Sequence, residues 1–518
     1  MVLRRVGIFG LAQIVAIAAG LLLQMIVARA LSMGDYGRFV VVHSMTLLLL
    51  TFLMSAVPNA LRRLVSVNRG NLAAAWRSVW RVQLPIAGLI SALFACLAPL
   101  LAAAMHDSLL TPVLLIAAAD TAVKAGVLEP CWHLLNGLGR HVLQAWLMML
   151  HSVMRAVCVI CVFQASTGLL EGVAGLLLST IVSTVVAVPI IHVAAMGIAD
   201  RPDRELGGEL LRWVKVAPGA DVLNYLVVAA NLWVLKAVTA DPSSVGSYAA
   251  CYMLTQAVLP FSLVLSRGSF ASFAQAVSAR QMHEASRLLS QVVRIAAVAI
   301  GCGFAVAWLH GEAILGLVYG DGFMVAGRLL GVLGLGMSAL AVLWFLCEML
   351  AAAGKLKVRL TLMMAVSAAS AAITVFLVRV WGSSGAASAL LITGMLGTLA
   401  AAVPLSHLVG LFVPWRTMCR AAIAAVGVIV MDRLSHTAFQ GLGVVSGVAV
   451  ISLVYFGLLV VLCEWDLNEW RSAGTAFRSL SKQRDRHHTG GSQSRFWIGT
   501  HGILRPPADP LPRGESHD

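Results

Sequence analysis

Charge is what this sequence has least of. Only 12% of its 518 residues are Asp, Glu, Lys or Arg, where a soluble globular domain carries about a quarter. With 59% apolar residues and a mean hydropathy of +0.88, the chain lacks the polar groups to cover its own surface. That excludes a set of soluble domains and makes lipid the solvent for most of it. No Walker A sequence and no soluble domain able to bind ATP is present, so any transport must draw on an ion gradient or on the substrate's own gradient. Cysteine is also sparse, at nine. Cys158 and Cys161 have a redox or metal spacing, but they lie in a Val-Ile-Phe helix, and neither a metal nor a cofactor is expected. The "GVLGLG" run at Gly331–Gly336 lies in an apolar segment with no preceding strand, so it reads as close helix packing rather than a nucleotide loop. Acidic residues are the rarer charges, 23 against 37 basic ones. The excess of +14 would suit nucleic acid, yet the basic residues fall between apolar stretches rather than along one soluble face. That distribution is expected of cytoplasmic loops facing anionic lipid heads, and it excludes a nucleic-acid partner.

What the chain has in abundance is apolar runs of membrane-spanning length, about 20 residues each. They fall at 7–29, 39–61, 82–104, 109–129, 142–163, 169–196, 214–238, 247–267, 290–310, 324–350, 358–380, 385–407, 417–433 and 442–463. The fold class expected is an all-α polytopic membrane protein of about 14 transmembrane helices. The first run is longer than the roughly 7–15 apolar residues of a signal peptide and reads as a retained first helix. With the N-terminus inside, the inner loops collect most of the Lys and Arg, among them Arg62, Arg63, Arg69, Arg140, Lys355 and Lys357. The outer loops hold few, including Arg29, Arg38, Lys236, Arg379 and Arg433. The bias implies an inner-membrane protein with both termini in the cytoplasm.

The chain also repeats itself. "VARALSMGDYGRF" after helix 1 answers "LKAVTADPSSVGSYA" after helix 7, with Gly37 and Gly246 at equivalent places. "LNGLGRHVLQAWLMM" answers "AAAGKLKVRLTLMM", with Gly139 and Gly354 matched. Two six-helix parallel repeats follow, with two further C-terminal helices and a substrate path between the halves. The divisions expected are an N-terminal lobe at 1–196, a cytoplasmic linker at 197–213, a C-terminal lobe at 214–407, two additional helices at 408–463 and a basic disordered tail at 464–518.

Ionisable groups at membrane depth are the sharpest functional signal, because a charge at a helix centre costs about 2.5–3.5 kcal/mol on insertion scales. Asp120 and Lys124 lie on one helix face, four residues apart. Both a self-neutralising pair and a cavity role are open for them. Arg155 lies mid-helix with no partner on its own helix, which favours a cavity or an anion site. Glu348 lies near the inner end of helix 10. Arg29 and Lys236 occupy equivalent outer helix ends, either snorkelling to the interface or facing a vestibule.

The run "IVARALSMGDYGRF" followed by "NALRRL" resembles the start of Wzx-type polysaccharide flippases, with Arg29, Leu31, Asp35, Tyr36 and Gly37 on the family pattern. "SSVGSYA", with Gly246 and Tyr248, "LVYGDGF" and "WGSSGAASALL" are similar to it too. The resemblance covers roughly residues 1–460. It implies a two-lobed bundle of the multidrug/oligosaccharidyl-lipid/polysaccharide exporter superfamily, not an enzyme. Such a protein flips undecaprenyl-pyrophosphate-linked oligosaccharide across the inner membrane for O-antigen, capsule or exopolysaccharide synthesis, by alternating access. Depth and charge single out Arg29, Lys124, Arg155 and Lys236 as substrate contacts, and Asp120 and Glu348 as sites for a coupling proton or sodium ion. Anionic lipids, a polysaccharide polymerase and export machinery are the partners implied. Three alternatives stand beside this reading: a cation-coupled drug antiporter of the same superfamily, a membrane polysaccharide polymerase or glycosyltransferase, and a peptidoglycan-precursor flippase. The first would ordinarily place an acid in helix 1, which has none. The second would need a sizeable outer loop, and the outer loops here are short.

Overall fold

The structure is a computed structural model that describes residues 2–55, 57–58, 61–62, 65, 72–196, 219–239, 241–434, 443–462 and 464. The chain divides into Met1–Leu462 and Cys463–Asp518. The first part is the helical bundle. The expected linker at 197–213 and, apart from Glu464, the expected tail lie outside the described residues.

Among the described residues fourteen helices run in chain order: α1 (Val2–Ala30), α2 (Met33–Ser55), α3 (Leu72–Ala104), α4 (Leu110–Gly137), α5 (His141–Phe163), α6 (Leu169–Met196), α7 (Gly219–Val238), α8 (Pro242–Thr255, continued by Leu259–Ser278), α9 (Met282–Tyr319) and α10 (Gly327–Ala352). Then come α11 and α12 (together Leu356–Val409), α13 (Trp415–Leu434) and α14 (Val444–Val461). Strands are absent among the described residues. Helices predominate because hydrocarbon supplies no partners for backbone N–H and C=O groups, which an α-helix pairs within itself. Ten helical segments among the described residues are long and apolar enough to cross a membrane. Large apolar side chains such as Leu89, Val193 and Leu453 are 70% or more exposed, as lipid-facing residues are.

Two departures from the hydropathy reading have one cause. α3 begins at Leu72, so Arg77 and Arg81, expected in a loop, sit in its first turns, and α9 extends from Met282 to Tyr319. A helix satisfies its backbone whether or not lipid surrounds it, so it continues past the apolar stretch that hydropathy detects.

The repeat is visible in backbone detail. Gly139 and Gly354 have φ of 72° and 74° and close α4 and α10 with the same cap. Arg140 N–H donates to the Leu135 carbonyl and Lys355 N–H to the Leu350 carbonyl, both at 2.9 Å. This is the left-handed glycine termination of a helix, repeated at matched points. Gly37 and Gly246 are each the fifth residue of their helices, α2 and α8, and there the two repeats touch. A Cβ on Gly37 would stand 2.9 Å from the Gly246 nitrogen, and one on Gly246 would overlap the Met33 carbonyl. Small residues allow this backbone approach, on which packing within lipid depends.

Between α11 and α12 the chain breaks helical geometry at Gly382, with φ 55° and ψ −129°. A side chain in such a conformation costs on the order of 1–3 kcal/mol. Gly382→Ala is therefore expected to lower the thermal midpoint of the purified protein by several degrees. An unchanged midpoint would mean that the break relaxes without cost.

Candidate functional site

Among the described residues, ionisable side chains gather at the helix ends around Gly37, halfway along the first repeat and around Arg359 in the second. The first is a chain of charges that crosses between the repeats. Ser32 precedes α2 and exchanges hydrogen bonds with Asp35. Its Oγ accepts from the Asp35 N–H at 3.1 Å and donates to the Asp35 carboxylate at 2.7 Å, a local helix-start arrangement. Asp35 also accepts from Arg38 at 2.7 Å, and Arg38 Nε donates to Asp107 at 2.6 Å. Asp107 is placed by the end of α3. His106 adopts φ 50°, and the Asp107 N–H bonds back to the Ala102 carbonyl at 2.9 Å. The second repeat completes the chain, because Lys236 Nζ near the end of α7 donates to the same Asp107 oxygen at 2.7 Å. Asp107 and Lys236 side chains are 5% and 7% exposed.

Three neighbours reinforce this ionic latch. Trp233 Nε1 donates to Ser44 Oγ at 2.7 Å. Arg29 Nη2 donates to the Leu317 carbonyl at 2.6 Å, beside a cavity of about 530 Å³ that also includes Asp321. Tyr36 packs against Tyr319 and Phe323, with ring centroids 5.6 and 5.5 Å away. Thus Arg29 and Lys236, expected to snorkel or to face a vestibule, each reach from one repeat to the other.

Burial would raise the Asp107 carboxyl, but hydrogen bonds from Lys236 and then Arg38, with their charges, outweigh it and hold it below its ordinary 3.8. A carboxylate stabilised in this way contributes fully above that value and loses its contribution as pH falls through the depressed one. The latch should therefore hold throughout the neutral range and weaken only in strong acid. Removing the carboxylate leaves the buried Lys236 without its ion partner, which costs about 3–5 kcal/mol, and leaves the part-buried Arg38 with Asp35 alone. Asp107→Asn is expected to reduce cross-linking between cysteines at Gly34→Cys and Pro242→Cys at least tenfold, in a background without reactive cysteines. The Cβ positions at those two sites are 2.9 Å apart. Undiminished cross-linking would show that the latch does not hold the repeats together.

The second gathering is at mid-helix. Lys124 is the fifteenth of the 28 residues of α4 and opens a π-turn spanning Lys124–Leu128. A neighbouring π-turn, Val79–Gln83, lies in α3, and Gln83 Nε2 from it donates to the Ala125 carbonyl at 2.9 Å. The wider turn frees backbone acceptors, and the buried Gln83 supplies one with a donor. Such turns often occur at functional positions. Arg155, near the middle of α5, is half-buried like Lys124, and neither has a hydrogen bond or an ion pair within 4 Å among the described residues. Asp120 is buried and accepts from Thr180 Oγ1 at 2.6 Å. It is near enough to Arg155 for their charges to interact, without an ion pair between them. His43 on α2 and His151 on α5 lie within the field of both cations, and His151 shares a 3.1 Å hydrogen bond with Ser183.

The six residues singled out from sequence therefore separate. Lys124, Arg155 and Asp120 come together inside the first repeat. Arg29 and Lys236 take part in the latch. Glu348, on α10, pairs with Arg359 at 2.8 Å, and Arg359 lies 3.8 Å from Asp221. Sequence reasoning missed Asp107 and Glu129. The available signal for Asp107 was a single acid in the short outer loop "HDSLL" facing cations at two helix ends. Among the described residues no group of three or more His, Cys, Asp or Glu side chains could hold a metal ion.

No protein-family model matches the sequence, and no curated protein matches it. Solved structures do match. The lipid II flippase MurJ in an inward closed conformation aligns over 88% of this chain and 98% of its own, with a TM-score of 0.68 and 13% identity. An inward-facing multidrug resistance MATE family transporter of the MOP superfamily aligns over 77% and 94%, with a TM-score of 0.62 and 16% identity. A MATE transporter from Vibrio cholerae aligns over 78% and 96%, at 0.53 and 13%. At these identities the likeness is one of fold: an all-helical bundle of two parallel six-helix repeats, with α13 and α14 added.

Proposed function

We propose that the chain translocates an amphipathic anion, an oligosaccharide linked to undecaprenyl pyrophosphate, between membrane leaflets by alternating access of its two repeats. The observation that carries this reading is the pair of cations without close partners, Lys124 and Arg155, each midway along an apolar helix in a bundle latched at one end. Cations so placed are costly unless water or an anion meets them. A guanidinium suits two-point contact with phosphate oxygens, and a lysine amine acts as a point charge beside it. A pyrophosphate would relieve both, while the polyprenyl chain stays in lipid. The latched end would face the periplasm and both termini the cytoplasm, in agreement with the basic inner loops. Assignment to the Wzx type rests on the "IVARALSMGDYGRF" resemblance, and the polymerase and export partners follow from it.

A cation-coupled drug antiporter is the second reading, favoured by the fold shared with MATE transporters. Against it, α1 contains no acidic residue. Reconstituted vesicles distinguish the two. The purified protein should expose a fluorescent undecaprenyl-pyrophosphate oligosaccharide to an external quencher at least tenfold faster than empty vesicles do. If it moves none, yet accumulates a drug against an imposed proton or sodium gradient, the antiporter reading replaces this one.

A further inference from the structure

We propose that Glu129 is the internal counter-anion of Lys124 in the empty protein, and that the substrate's phosphate displaces it. The inference rests on the flippase reading for the identity of the displacing anion and on the π-turn for the pairing itself. In a regular α-helix, residues five apart point about 140° from each other at 3.6 residues per turn. The π-turn removes most of that divergence. The Glu129 N–H bonds back five residues to the Lys124 carbonyl, so the two side chains leave α4 on nearly the same face. Lys124 is the charged group whose field acts on Glu129, and Glu129 and Asp120 in turn act on Lys124 against the field of Arg155. Glu129 then starts a regular helical stretch, Glu129–Gly137, immediately followed by Pro130 at a position that tolerates proline.

The pair is poised rather than closed, because no ion pair within 4 Å joins Lys124 to Glu129 among the described residues. An unlocked amine can exchange a carboxylate for a phosphate without first breaking a tight salt bridge. Other ionisable groups around Lys124 set the sign of the exchange. Arg155 and His151 face it from α5, Asp120 lies one turn back on α4, and His43 approaches from α2. One turn beyond Glu129 lies His133, within the field of Arg62. Two cations and two carboxylates balance in the empty site. An incoming pyrophosphate makes the site net anionic, and Glu129, losing Lys124, is the carboxylate positioned to take up a proton. Asp120 keeps the Thr180 hydroxyl as its donor. When Glu129 sheds that proton, the restored carboxylate repels the phosphate and returns to Lys124, which favours release as well as selectivity.

Glu129→Gln keeps the shape and removes the charge. Two measurements on the full-length purified protein test the inference. Amine labelling of Lys124 followed across pH by mass spectrometry should show its titration midpoint falling in Glu129→Gln. An unchanged midpoint overturns the pairing. Binding of undecaprenyl pyrophosphate at neutral pH should tighten about tenfold in Glu129→Gln, and the proton uptake that accompanies binding to the unaltered protein should disappear. Equal binding and equal proton uptake in both proteins overturn the displacement. If the lysine midpoint falls but neither protein binds the lipid pyrophosphate, the flippase reading fails while the pairing stands.

Discussion

Arg155→Gln is expected to reduce transport of the lipid-linked oligosaccharide at least tenfold in reconstituted vesicles, with membrane abundance unchanged. The expectation comes from what surrounds the side chain. Arg155 is half-buried near the centre of α5, without a hydrogen bond or ion pair among the described residues. Its removal therefore breaks no native bond, and stability should not fall. A bound phosphate, in contrast, would lose a charge-assisted two-point contact. Hydrogen bonds to charged groups contribute about 1.5–3 kcal/mol, and each 1.4 kcal/mol is about tenfold. Arg155→Lys should retain part of the activity, because charge survives and planar geometry does not. The competing explanation is that Arg155 serves only to neutralise Asp120. It requires Arg155→Gln to lower abundance and an added Asp120→Asn to restore it. Asp120 already accepts from Thr180 at 2.6 Å, so the double variant should remain as inactive as the single one. Full transport by Arg155→Gln would remove this residue from the substrate path.

A second large effect is expected at the contact between repeats. Gly246→Val places methyl groups where even a Cβ would overlap the Met33 carbonyl, and the Met33 carbonyl carbon lies only 2.7 Å from that Cβ position. The obstacle is backbone, which cannot turn aside as a flexible side chain can. Overpacking of this kind costs about 1–3 kcal/mol. Here the cost falls on the latched state, because α2 and α8 must separate before the valine fits. The bonds from Lys236 to Asp107 and from Trp233 to Ser44 depend on the same approach. Cross-linking through Gly34→Cys and Pro242→Cys should drop at least tenfold. Wild-type cross-linking in Gly246→Val would mean that the helices accommodate the side chain without parting.

Much of the fold was legible because lipid leaves few structural options. Runs of about twenty apolar residues in lipid become helices, so the fourteen helices could be placed from hydropathy. Ten of the segments among the described residues are long and apolar enough to cross a membrane, and the errors fall at the ends where α3, α8 and α9 continue past the apolar runs. The repeat was legible in its loops, where Gly139 and Gly354 stand out against polar neighbours. The candidate site was legible in part. Lys124, Arg155 and Asp120 were recognisable as charges in an apolar context, and that property is local. The partner of Lys236 was not, since Asp107 is 129 residues away and no periodicity links them. Glu129 escaped notice for a different reason. On an ideal helix it points away from Lys124, and the π-turn that realigns them leaves no residue pattern of its own.

The meeting of Gly37 and Gly246 has a mechanical consequence. Each glycine lies four residues from the start of its helix, so the contact behaves as a fulcrum close to one end of a rod. Beyond Gly37, α2 continues for 18 of its 23 residues, a lever arm of about 27 Å at 1.5 Å per residue. A tilt of about 10° at the fulcrum, too small to part the glycines, swings the free tip by roughly 5 Å on the same geometry. Two such rods tilting in opposite senses widen the far mouth by about 10 Å, on the order of a sugar ring with its hydration. Small rotations at a tight crossing thus become gate-sized displacements at the other face.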